Sequence, residues 1–209
     1  MSLAQASRRA AAPLMAAVLL LAALFTPALA HHPFGLAEGA SLNAWQGLAS
    51  GIGHPVLDPD HLLFLLAIGF VGLARPQAWL IPLLAVGLGG SALSQLVPLP
   101  EALGPWAESL VAISLALEGL VALSVLPAGW LLPLFALHGV LLGSMVVGAE
   151  PTPLLAYFVG LLLSQGALLL VVTALSARLL LWLDHQGQRL AAGIWIGIGC
   201  AFAWGSLVP

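Results

Sequence analysis

The chain has 209 residues, of which 61% are hydrophobic and only 6% charged: five arginines, no lysine and eight acids. A water-soluble domain carries about 25% charged residues, so the composition excludes a soluble globular enzyme and a disordered chain. The want of a basic face argues against nucleic acid as a partner, and a lone Cys200 excludes an internal disulfide framework or thiolate cluster.

Residues 1–30 read as a signal peptide. Arg8 and Arg9 form a positive n-region, Leu14 to Phe25 an apolar h-region, and Ala28-Leu29-Ala30 a small-x-small cleavage site. Cleavage after Ala30 leaves 31–209 as a single helical domain that begins His31-His32-Pro33-Phe34. An N-terminal histidine offers both amine and imidazole to one metal, and His32 adds a second ring. The mature chain keeps three arginines against all eight acids. Carboxylates in or beside a bilayer are costly, and so invite a functional explanation.

Crossing a bilayer takes about 20 apolar residues. Spans are predicted near 60–74, 78–97, 106–126, 130–148, 154–177 and 190–207, separated by Pro/Gly-rich or charged turns, among them Asp184 to Arg189. The segment 41–53 is too short to cross alone. Arg75, Arg178 and Arg189 fall on one side of this layout, and the positive-inside rule makes that side cytoplasmic. A non-cytoplasmic His31 then requires an odd number of crossings before Arg75. The first crossing is therefore expected to be a broken helix, with 41–53 entering part-way, irregular backbone at 54–59, and 60–74 completing the passage. The fold class expected is an all-α polytopic membrane bundle of about six transmembrane helices.

The break holds the densest chemistry: His54, Asp58, Asp60 and His61 lie within eight residues, interrupted by Pro55 and Pro59. Asp58 is placed to cap the helix that Pro59 opens. Imidazole and carboxylate together suit nickel, cobalt or zinc better than soft copper(I). The competing reading is a polar loop with hydrogen-bonded helix ends. In the third span, Glu108 and Glu118 are each candidates to complete a metal site or take a proton during transport, and Ser114 to line a path; Glu118 lies about 15 Å deeper than Glu108 along a straight helix axis. His138 sits mid-span in the fourth helix, in a run free of formal charge, which makes it a metal-ligand candidate by default. Glu150, in an outer turn, and Gln165, mid-span, are candidates for lining a path. A rhomboid-like protease is disfavoured, because Met145 replaces the glycine expected after Ser144 in G-x-S-G and no later span supplies a histidine.

His54 followed by Asp60-His61 resembles the His-x5-Asp-His signature of the HupE/UreJ proteins. The likeness extends to the start His31-His32-Pro33-Phe34-Gly35, to Glu108 and Ser114 as Glu-x5-Ser, to Phe135–Gly143, and to Gly148–Pro153 with Tyr157 and Gln165, which is similar to the cyanobacterial branch. The family's fourth-span motif often carries a second histidine, and Leu142 stands in its place here. The resemblance implies a small inner-membrane permease for Ni2+ or Co2+, of the kind associated with hydrogenase and urease maturation. It would hold no permanent cofactor and would have the bilayer and a cytosolic metallochaperone as partners. The alternative is a metal-binding membrane sensor or accessory protein that passes no ion.

Overall fold

The computed structural model describes residues 43–208, and all of its regular structure is helical. The leader at 1–30, His31 and His32 lie outside the described residues. Helix α1 (Ala44–Leu57) opens with a capping box: the Asn43 side chain accepts from Gln46 N at 2.9 Å, and Gln46 Oε1 accepts from Asn43 N at 2.9 Å. Helix α2 (Pro59–Ala67) follows after one residue and is prolonged by a 3-10 turn, Ile68–Phe70. Then come α3 (Leu80–Leu96), α4 (Gly104–Ala122), α5 (Leu131–Ser144), α6 (Pro151–Trp182) and α7 (His185–Leu207).

Helices α4, α6 and α7, together with α3 and its lead-in from Pro76, are long and apolar enough to cross a membrane, whereas Pro59–Phe70 and Ala128–Ser144 are shorter apolar pieces. Large hydrophobic side chains stand bare on the outside, Leu96 at 81% and Leu181 at 88% exposure. Water would penalise such a surface, and lipid does not.

Small residues let the helices pair at backbone contact. A Cβ on Gly47 would lie 2.3 Å from Pro153 O, and one on Gly51 would lie 2.1 Å from Tyr157 O. Further along, Gly69 faces Val172 and Leu179. Helices α1 and α2 thus run end to end beside α6, in its direction, as one interrupted passage. Helices α3 and α5 are likewise parallel, because Gly87 meets Phe135 and Gly139, while Gly143 meets Ser91 and Ser94. Helices α4 and α7 are antiparallel, with Ser109 Oγ bonding Ala203 O and Gly119 facing Ala192. The result is the expected six passages with a broken first one. Arg75, Arg178 and Arg189 gather at one end of the bundle. Exposed Trp45, Trp106 and Trp204 mark the opposite end, and Trp130 and Trp182 the arginine end, as aromatic belts do at membrane interfaces.

Two boundaries differ from the sequence reading. The break is one residue, Asp58, instead of 54–59, because Pro55 is accommodated inside the last turn of α1. Helix α6 continues to Trp182 and the following turn shrinks to Leu183 and Asp184. Nothing between 177 and 182 breaks a helix, and Asp184 caps α7 by accepting from Gly187 N at 2.6 Å.

A Cβ on Gly139 would lie 2.0 Å from Gly87 O, whereas one on Gly193 meets nothing within 4 Å. Gly139→Ala is therefore expected to destabilise the protein by about 1–3 kcal/mol and Gly193→Ala by less than about 0.5 kcal/mol, read as unfolding midpoints in detergent.

Candidate metal centre

The broken passage re-engages backbone groups that its prolines and its turn set free. Pro55 has no N–H for the carbonyl of Gly51, four residues back; Ser164 Oγ of α6 donates to that carbonyl instead, at 3.2 Å. Asp58 turns extended, at φ −84° and ψ 115°, and its N–H closes α1 on His54 O at 3.0 Å. Pro59 then opens α2 at the position where its missing N–H does no harm.

Asp58 holds the N-cap position, but its side chain caps no backbone N–H. This corrects the sequence expectation. Its Oδ2 lies 3.1 Å from His61 Nδ1, and the capping falls to Asp60, whose Oδ1 accepts from His61 N at 2.8 Å and meets His61 Nδ1 at 2.9 Å. Both carboxylates therefore call for a proton on Nδ1, and in the neutral ring the lone pair is then on Nε2.

His138 is fixed from the other side. Ser114 Oγ lies 2.5 Å from Val111 O and 2.6 Å from His138 Nε2; with its one proton given to Val111 O, the hydroxyl oxygen accepts from Nε2. The lone pair of His138 is then on Nδ1. The two imidazoles meet edge to face, with centroids 4.7 Å apart and planes at 89°. Phe64 lies against His138 at 4.0 Å and against Phe135 at 5.9 Å.

His61, His138 and Gln165 line a small cavity of about 10 Å³, walled by Phe64, Phe135 and Leu142. His61 Nε2, His138 Nδ1 and Gln165 Oε1 are all buried and have no hydrogen-bond partner among the described residues. With the tautomers above, all three are acceptors. Three buried acceptors that no donor meets are incomplete without an electron-poor guest. The cavity's size admits one water-sized body, so a cation held there would exchange hydration water for these ligands.

The family model described as HupE / UreJ protein matches residues 18–202. The chain belongs to the HupE/UreJ family. Comparison with curated proteins and with solved structures returns no match. The HupE/UreJ family is associated with nickel and cobalt transport, and the nitrogen-rich cavity of this HupE/UreJ protein is of the donor type those ions take.

The structure divides the sequence candidates. His61 and His138 converge, with Gln165 beside them. Asp58 and Asp60 stand behind His61, and Ser114 stands behind His138. Asp58, Asp60 and His61 also present one ligand atom each within 4.8 Å of one another, a carboxylate-rich place next to the imidazole one. His54 is buried near Tyr157, with ring centroids 6.5 Å apart, and is not part of the cavity wall. Glu108 is half-buried, about 9 Å along α4 from Ser114. Glu150 is exposed at the N-cap of α6, where the helix dipole suits a carboxylate; it does not line the cavity. Glu118 is buried one turn beyond Ser114.

Sequence reasoning missed Phe64, Ser164 and the role of Gly87, whose absent Cβ leaves room for the Phe135 ring and Gln165 Oε1. Phe64 had a signal: it follows His61 by three residues, hence shares its helix face.

Removing a hydrogen bond that orients a metal-ligating histidine typically costs about 10- to 100-fold in metal affinity. Ser114→Ala is expected to weaken Ni2+ binding to the detergent-purified protein by that factor, as measured by calorimetry, with the unfolding midpoint little changed.

Proposed function

We propose that this HupE/UreJ protein carries Ni2+ or Co2+ from the periplasm to the cytoplasm across a bacterial inner membrane. The observation that carries the proposal is the convergence of His61 Nε2, His138 Nδ1 and Gln165 Oε1, buried and unpartnered, on one cavity. The arginine end is the cytoplasmic one by the positive-inside rule, which leaves the mature N-terminus periplasmic. His31 and His32, if exposed by cleavage after Ala30, would collect the ion at the outer face.

The ion would then meet Asp58 and Asp60, whose half-buried carboxylates are the first negative charges on the broken passage. It would pass to the imidazole pair, where the carboxylates act through His61 by holding its proton on the far nitrogen. Two nitrogens and an amide oxygen bind a dication without closing its coordination shell, and conduction needs a site that also lets go. The driving force is the membrane potential, worth about 2.3 kcal/mol per charge per 100 mV, together with a cytosolic metallochaperone that would keep free ion low.

Sealed proteoliposomes loaded with a nickel-responsive dye test this. Wild-type protein is expected to accumulate Ni2+ under an inside-negative potential, and His61→Ala and His138→Ala each to lower the initial rate at least about tenfold, a loss of about 1.4 kcal/mol or more in barrier terms. Binding without accumulation by the wild type would instead make the protein a metal-binding sensor, and wild-type rates in both variants would remove the cavity from the path.

A further inference from the structure

Glu118 is the one fully buried acid among the described residues, and the function above leaves it unused. It is 1% exposed, and neither carboxyl oxygen has a hydrogen-bond partner among the described residues. Leu115 and Val121, three residues to either side on α4, belong to the main hydrophobic core, as does Trp195, whose buried Nε1 has no hydrogen-bond partner among the described residues. A leucine would fill such a place at less cost than an unpartnered carboxyl group, so packing does not account for it.

Its position along α4 does. Ser114, Glu118 and Val121 are spaced four and three residues apart and so share one helix face. Ser114 holds His138. At the other end of the row, Val121 lines an open cavity of about 770 Å³ at the arginine end, together with Gly72, Arg75, Trp79 and Ser124. Glu118 thus stands about 6 Å along the axis from Ser114 and about 4.5 Å from Val121, between the acceptor-lined cavity and the larger vestibule. An ion leaving the imidazole pair would find there the first carboxyl oxygens on the inward side, in a medium where attraction to a dication is poorly screened. Arg75 at the vestibule is solvent-exposed, and its charge is screened by salt.

We infer that Glu118 is a second binding station for the divalent transition cation, through which the ion passes from the histidine cavity to the cytoplasmic vestibule. The inference rests on the transport reading above, and its tests separate the two. In proteoliposomes, Glu118→Gln and Glu118→Leu are expected to lower Ni2+ uptake at least about tenfold, with Glu118→Asp intermediate. Ni2+ affinity of the detergent-purified variants, which reports the histidine cavity, should stay within about threefold of wild type. The unfolding midpoint of Glu118→Leu should be equal to or above that of wild type, whereas a structural role for Glu118 would lower it.

A second measurement does not depend on uptake. In a Cys200→Ser background, Glu118→Cys should react with a cationic methanethiosulfonate reagent from the cytoplasmic face of inside-out vesicles, and more slowly when Ni2+ is present. Uptake by Glu118→Gln and Glu118→Leu within about twofold of wild type would overturn the inference while leaving the transport reading intact, as would reaction of Glu118→Cys only from the periplasmic face. Absence of uptake by the wild type overturns both.

Discussion

A transmembrane helix cannot be interrupted in hydrocarbon unless something else takes up the backbone groups it frees. The rest of this architecture depends on how that constraint is met at residues 51–61. Ser164 serves the carbonyl that Pro55 cannot, Asp58 turns the chain in a single residue, and Asp60 caps the helix that follows. Were the passage continuous, Asp58 and His61, three residues apart, would share a face, but Asp60 would lie about 100° around the helix from His61. The break lets the first turn of α2 fold its own carboxylates back onto the ring of His61, so that one nitrogen is committed and the other is turned to the bundle interior.

The histidine pair also depends on contacts that hold no chemistry. His138 reaches His61 only because α5 lies at backbone distance from α3, and that approach rests on Gly87, Gly90, Gly139 and Gly143. Ser91 ties the same pair together by donating to Gly139 O at 2.8 Å, and Tyr157, fully buried, anchors α5 to α6 through Leu142 O at 2.7 Å. Small residues here give a rigid frame in which a cavity of one guest's size survives. A loosely packed bundle would either collapse on it or fill it with another side chain.

The fold was largely legible in the sequence because bilayer physics leaves few options. Apolar lengths, Pro/Gly turns and three arginines were enough for six passages and a broken first one. The break's true width was not legible: Pro55 alone reads as a helix stop, and only Ser164, 113 residues away, makes it tolerable. His61 and His138 stood out as ionisable groups in apolar runs. Their partnership did not, since no local pattern states that α2 and α5 meet. The same holds for Asp58 and Asp60, which residue type marks as ligands and geometry places behind the ring of His61. Gln165, marked by its type and depth only as a candidate for lining a path, is placed at the cavity by the packing of α6, its oxygen without a partner among the described residues. Glu150 was separated from the site by topology alone.

Leu142 deserves a physical reading of its own, because the HupE/UreJ fourth-span pattern often places a second histidine there. It lines the cavity opposite the acceptors. A third imidazole in that place would add another lone pair to two that already lack a partner, and would hold a transition cation more tightly. With leucine there, the third donor on the transport reading would instead be the amide oxygen of Gln165, weaker and harder than imidazole nitrogen. For a protein that stores or senses metal this would be a loss. For one that passes metal on, the useful quantity is the difference in binding energy between successive stations. On the transport reading, a shallow well at the histidine pair and a carboxyl group about one helical turn farther inward are parts of one gradient. The missing ligand above and the additional acid below then have a common explanation.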